Sequence, residues 1–249
     1  MNILRIGLGV LFVSLIAAGS AAAAPCSNAS LTGVWGFESA GFDAPGTPGA
    51  SVGQYNFDGA GNVSGSFTHS SNGTISNITF TGTYAVAKNC TGTFTLNNSN
   101  GVTEHHNFVI DDAKKGLQLI RTDSPEIRSG FALAQGAVTC GLTGIKQTFA
   151  FNVSGTNNTI GAIAGVGQLN MDGNGHITSG TLTLSLNGTL GTFPVTGTYT
   201  ENTGCTGTEM VQPTGLSASN FNFVVVDGGK EVLLIETDGL TTVAGNAQQ

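Results

Sequence analysis

From about residue 33 onward, apolar and polar residues alternate with a period of two in short runs, each ended by Gly, Asn or Asp. That is the period at which successive side chains of an extended chain point to opposite faces, so each run reads as a β-strand with one buried face. In the first half the pattern predicts eight strands, near residues 33–41, 51–57, 63–69, 75–86, 91–96, 103–110, 117–122 and 128–135. No window carries apolar residues at helical spacing. Tyr84 with Val86, Phe108 with Ile110, and in the second half Tyr199 and Phe223 with Val225, share one alternating face and are predicted core. Between the second and third strands sits Asp58-Gly59-Ala60-Gly61-Asn62, echoed by Asp172-Gly173-Asn174-Gly175-His176. Such runs supply the positive φ angles of tight hairpins, and short strands joined by short turns favour an up-and-down meander.

The second half repeats the first. Residues 53–61 (GQYNFDGAG) match 167–175 (GQLNMDGNG) at six of nine positions with an offset of 114. Residues 81–93 match 196–208 at eight of thirteen, and 107–123 match 222–238 at nine of seventeen, both with an offset of 115. A unit of this length is long enough to own a core, unlike the shorter units of solenoids and propellers. Closing eight strands into a barrel removes both exposed sheet edges. The prediction is therefore all-β: two tandem antiparallel up-and-down barrels of about eight strands, spanning 24–136 and 137–249, with a pair of β-sandwiches as the alternative. Cys26 corresponds to Cys140 and Cys90 to Cys205, so the repeat favours bridges Cys26–Cys90 and Cys140–Cys205. The pairing Cys90–Cys140 would break the symmetry. In an up-and-down barrel, the start of strand one and the end of strand four share a rim, which suits the symmetric pairing. Closing loops of this size stabilises the fold by on the order of 4 kcal/mol per bridge in the chain-entropy model.

Residues 1–23 read as a secretory signal: Arg5, then the apolar stretch from Ile6 to Ala18, then small residues with cleavage between Ala23 and Ala24. Retention as an N-terminal anchor is the alternative, although the stretch is shorter than the roughly 20 residues that span a bilayer. Pro25 before Cys26 excludes a lipobox. Export makes disulfides the expected state of the four cysteines. The formal net charge of −7 becomes −8 once Arg5 is lost, which argues against nucleic acid and against anionic membrane surfaces as partners. The place expected is the periplasm or the cell exterior, without stable membrane insertion of the mature chain.

Cys26-Ser27 followed by Leu31-Thr32-Gly33-Val34-Trp35 resembles the opening of avidin-type and lipocalin-type (calycin) chains, whose first strand carries a Gly-x-Trp signature. That resemblance implies a Trp packed across one barrel end and a bridge from the N-terminus to a later strand. The second copy has Leu142-Thr143-Gly144-Ile145-Lys146 instead, and Trp35 is the only Trp, so biotin binding is not implied. Phe57-Asp58-Gly59-Ala60-Gly61-Asn62 and Gly82-Thr83-Tyr84 through Cys90-Thr91-Gly92-Thr93 resemble segments of an exported bacterial family of tandem-repeat β-proteins. This second resemblance spans both copies and implies no particular activity.

No catalytic constellation stands out, and no cofactor motif is present in the sequence. Asp58 and Asp172 are alone in their loops, whereas calcium wants several carboxylates; they read as turn residues. His105 and His106 point to opposite faces of a strand and cannot chelate one ion together, so they read as a solvent-facing pair. Asp111 and Asp112 with Glu104 offer the paired carboxylates of a glycosidase, yet turn chemistry accounts for Asp112. No G-x-S-x-G context is present. Trp35, Tyr55, Tyr84 and Tyr199 are the candidate ligand-binding residues, placed to line a barrel mouth and stack on a small apolar or sugar ligand, with core packing as the competing role. The leading expectation is a non-enzymatic exported module that binds a small ligand or serves at the cell surface. The alternatives are a calycin-like barrel enzyme of isomerase or lyase type, and an outer-membrane barrel formed by the whole chain. A polar cavity holding a carboxylate of raised pKa would favour the enzyme.

Overall fold

A computed structural model of the protein describes residues 25–249 apart from positions 112 and 114. Residues 1–23, expected to form a secretory signal, the expected cleavage point and Asp112 lie outside the described residues. Each half closes on itself. The first barrel contains β1 (Thr32–Ala44), β2 (Thr47–Asp58), β3 (Asn62–Ser71), β4 (Thr74–Val86), β5 (Thr91–Asn98), β6 (Thr103–Ile110), β7 (Gly116–Arg121) and β8 (Ile127–Ala134). The second contains β9 (Thr148–Asn157), β10 (Gly161–Met171), β11 (His176–Leu186), β12 (Thr189–Glu201), β13 (Thr206–Pro213), β14 (Ser219–Val226), β15 (Glu231–Glu236) and β16 (Thr241–Gln248). Consecutive strands pair antiparallel, and β1 pairs with β8 as β9 does with β16. Among the described residues no strand is shared between the halves, which form two closed barrels rather than a sandwich pair or one barrel of sixteen strands.

The change of repeat offset has a structural cause. In the first barrel Asn56 pairs with Ser64 and Phe57 with Val63. In the second, Asn170 pairs with Ser179 but Met171 with Ile177, leaving Thr178 without a counterpart. A one-residue bulge absorbs the insertion and returns every later residue to its inward or outward phase.

The two ends of each barrel differ. At one end a short 3-10 turn (Asn28–Ser30) plugs the first barrel: Leu31 and Trp35 are buried, Trp35 meets Phe57 edge-on at 6.2 Å, and the Tyr84 hydroxyl lies 2.9 Å from the Leu31 carbonyl. The turn Leu142–Ile145 plugs the second, with Ile145 fully buried. Bridges Cys26–Cys90 and Cys140–Cys205 staple these ends, with Cα separations of 4.9 and 4.7 Å. Two bridges and no free cysteine point to an oxidising, extracytoplasmic environment. No helix among the described residues is long and apolar enough to cross a membrane.

The barrels pack side against side. β14 and β15 read Phe221-Asn-Phe-Val-Val-Val226 and Glu231-Val-Leu-Leu-Ile-Glu236, nearly unbroken apolar runs. Their inward residues fill the second barrel, while outward Val224, Val226, Leu233 and Ile235 pack on Ala50 and Val52 of the first. Hydrogen bonds frame this contact, including Ser70 Oγ to the Thr241 carbonyl at 2.8 Å and the Gly228 amide to the Gln135 carbonyl at 2.8 Å. Glu38 is enclosed here, and burial together with the nearby Glu231 charge pushes its carboxyl up to about 7. Gly36 permits the close approach, since a Cβ there would lie 2.4 Å from Val226 Cγ1 and 2.8 Å from Val224 Cγ1. Gly36→Val is therefore expected to destabilise the protein by about 1–3 kcal/mol through overpacking. A urea midpoint unchanged from wild type would show that the barrels do not press on each other at this point.

Candidate functional site

Both barrels are closed by turn and bridge at one end, so solvent-borne molecules reach their interiors from the opposite end. What occupies that end is decided by the inward residues of three adjacent strands. In the first barrel Phe94 of β5 pairs with His106 of β6, which pairs with Arg121 of β7. In the second barrel the equivalent row is Glu209 of β13, Phe221 of β14 and Glu236 of β15. The same geometry therefore holds two different chemistries.

The first barrel is plugged by compensated charge. Arg121 Nη1 lies 3.1 Å from Glu104 Oε1 and 2.6 Å from Glu126 Oε2, the latter an ion pair out of hydrogen-bond alignment, and Nε lies 3.1 Å from Asp123 Oδ2. Asn98 donates to Glu104 at 2.7 Å, and His106 Nε2 stands 3.1 Å from Glu104 Oε2. Burial by itself raises the Glu104 carboxyl, but the His106 and Asn98 hydrogen bonds and the Arg121 charge outweigh it and hold it at about 2. Burial pushes the His106 imidazole below its usual range. Beside this group Arg128 reaches Asp43, Ser39 and Ser51, and His69 Nε2 lies 3.1 Å from Asp43 Oδ2. Only about 10 Å³ of space remains among these side chains, room for one water at most.

Two expectations change here. His106 is not solvent-facing: it shares the inward phase of Phe108 and Ile110 and is 7% exposed, whereas His105 points outward beside Asp123. Glu104 is not half of a glycosidase pair with Asp111, because Glu104 is inside the barrel and Asp111 accepts the Lys115 amide in a turn.

The second barrel is open and mostly apolar. A cavity of about 490 Å³ opens at the end away from the bridge, walled by Phe151, Val153, Ile163, Leu182, Leu184, Val211, Phe221, Leu234 and Val243, with Ile160, Leu216 and Asp238 near the rim. Its size falls within the range of small-molecule sites. Two acids line it. Glu209 is 5% exposed and has no hydrogen bond or ion pair among the described residues; burial alone pushes its carboxyl up to about 7. Glu236 is 7% exposed; burial, with a smaller contribution from Asp238, also raises it to about 7 despite a Ser219 hydrogen bond. No built-in cation answers them: the only Lys or Arg residues after position 136 are Lys146 and Lys230, and both adjoin the 3-10 turns at the stapled end.

The aromatic set expected to line a mouth packs elsewhere. Trp35, Tyr84 and Tyr199 lie toward the stapled ends, 2%, 5% and 3% exposed, with the Tyr199 hydroxyl accepting the Gly173 amide at 2.8 Å. Tyr55 is 1% exposed, stacks on Phe37 with ring centroids 4.2 Å apart, and borders only the 10 Å³ space. Aromatic size, which marked these residues in the sequence, is what the closed ends require. Glu209 and Glu236 were missed, although a signal existed: Glu209 occupies the repeat position of Phe94, and Glu236 shares its strand phase with Val232 and Leu234. Asp58 and Asp172 are turn residues as expected, Asp58 Oδ1 accepting amides of Ala60, Gly61 and Asn62. Glu201 approaches Cys140 and Cys205 closely, but both sulfurs are spent in the bridge and are not thiolate ligands.

Arg121→Met strands the buried Glu104 inside the first barrel, leaves the half-buried Glu126 unpaired, and should destabilise the protein by about 3–5 kcal/mol at neutral pH; a loss below ~1 kcal/mol in urea titration would show that the plug is not held by charge pairing. For the raised carboxyls Glu38, Glu209 and Glu236, the folded state holds protons that the unfolded chain releases near 4.5. Their contribution is complete below that value and is lost as pH rises to about 7, at up to ~1.4 kcal/mol per pH unit per group. Urea midpoints should therefore fall from pH 5 to pH 7, and Glu209→Gln should flatten that fall by about one proton. Equal slopes for wild type and variant would contradict the placement of Glu209.

Comparison of the chain with models of known protein families and with curated proteins gave no match.

Proposed function

We propose that the protein is an exported, non-enzymatic binding module whose second barrel holds a small, largely apolar ligand. The observation that carries this reading is the 490 Å³ cavity in a barrel whose twin, built on the same strands, keeps about 10 Å³. Native interiors are close-packed, and a void of this size sacrifices contacts that a filled core would make. A site retained for a ligand accounts for that sacrifice. The stapled end, the inter-barrel contact and the charged plug of the first barrel then serve as a rigid frame for one open cavity. Export, by way of the segment 1–23, agrees with the two bridges.

The neutral apolar dye N-phenyl-1-naphthylamine tests the reading. One dye per chain should bind with fluorescence enhancement, and Leu184→Trp, which places an indole in the cavity where the dye would lie, should weaken it more than ~10-fold, because overlap with a ring costs more than the ~1.4 kcal/mol that a tenfold change represents. A correctly folded wild type that takes up no dye, or a Leu184→Trp variant that binds as wild type does, would remove the cavity from the function.

Glu209 and Glu236 favour one second reading, proton-transfer catalysis of the isomerase or lyase kind, since a carboxyl near neutrality exchanges protons in both directions. A compound bound in the cavity that is converted by wild type and merely held by Glu209→Gln would establish it.

A further inference from the structure

We propose that the ligand of the second barrel is a cationic apolar amine, its ammonium seated between Glu209 and Glu236 and its hydrocarbon body along Leu182, Leu184 and Val211. The proposal rests on the cavity-binding reading above and names the ligand class.

The argument begins from charge. Buried carboxylates are stable when paired, and the first barrel shows how this scaffold pairs them: Glu104 meets Arg121 at 3.1 Å, with Arg128 on the neighbouring strand. In the second barrel the positions of Arg121 and Arg128 carry Glu236 and Val243. Both cations have gone, Ser219 replaces Glu104, and an acid stands where Arg121 stood. Glu209 adds a second acid where the first barrel has Phe94, and it is 95% buried, without a partner among the described residues, against the cavity. The two acids are separated by one strand, so their Cα atoms stand roughly 10 Å apart across two strand spacings. Phe221 lies in register between them, and an aromatic face flanked by carboxylates suits an ammonium.

The same features argue against other classes. A fatty-acid anion would bring a fourth acidic group beside Glu209, Glu236 and the rim residue Asp238. A sugar needs a spread of polar partners, while the walls from β9, β10, β11 and β16 offer chiefly aliphatic and aromatic carbon. The titratable groups facing the site are Glu209 from β13, Glu236 from β15 and Asp238 beyond it; the lining residues of the other strands do not titrate. Because the free carboxyls hold protons up to about 7, seating an ammonium must expel them. Affinity should therefore rise with pH up to about 7 and then level, with proton release on binding, since an alkylamine stays charged up to roughly 10.

Calorimetry with decylamine, decan-1-ol and decanoate on the full mature protein tests the proposal. Wild type at pH 7.5 should prefer decylamine over decanol by roughly tenfold or more, as expected for charge-assisted hydrogen bonds, and should bind decanoate most weakly. Glu209→Gln/Glu236→Gln should erase the amine preference and its pH dependence while retaining decanol, which shows that the variant is folded and its cavity intact. Equal binding of amine and alcohol by wild type, a preference for decanoate, or an amine preference that survives in the double variant would overturn the cation proposal and leave the cavity reading standing. If none of the three binds wild type, both fall.

Discussion

The constraint on which the structure depends is closure of an eight-stranded sheet. A barrel of that size has an interior just wide enough to be filled by side chains, so every inward position either completes a packed core or leaves space. Strand alternation makes this choice local: one residue in two faces inward, and its neighbours across the ladder are set by register. The row through Phe94, His106 and Arg121 and its counterpart through Glu209, Phe221 and Glu236 show the consequence. Substitutions in this row, with Glu104 replaced by Ser219 and Arg128 by Val243, separate a plugged interior from an open one on the same strand topology.

Electrostatics follows from the same constraint. Inside the first barrel, acids and bases arrive together, so the Glu104 carboxyl is held at about 2 and stays ionised at neutral pH although it is buried. Inside the second, acids arrive without bases and hold their protons to about 7. Burial acts on both; the difference lies in whether an opposite charge stands within a few ångströms. The chain thus contains its own comparison between a charged network serving structure and uncompensated acids facing a cavity.

The duplication is symmetric in topology and asymmetric in surroundings. Val224 and Ile235 of the second barrel are covered by the first, whereas the corresponding Val109 and Ile120 are 52% and 53% exposed. Two-sided burial explains why β14 and β15 are apolar almost throughout. It also ties the open cavity to a neighbour that braces two of its walls from outside.

Much of this was legible in the residues themselves. Alternation and Gly, Asn and Asp punctuation placed all eight strands of the first copy, the two-fold offset identified the second copy, and paired cysteines followed from the repeat. Strand phase also held more than was drawn from it: His106 shares its phase with Phe108, and Glu209 replaces a core Phe, yet adjacent histidines and lone acids look like surface when read one residue at a time. The sequence by itself determined the barrel topology and the bridges, because these depend on local period and on repetition. Only the tertiary structure decided which barrel is full, because packing density depends on several strands distant in sequence that meet at one level. It also decided which acids lack a partner, because charge compensation is a property of three-dimensional proximity.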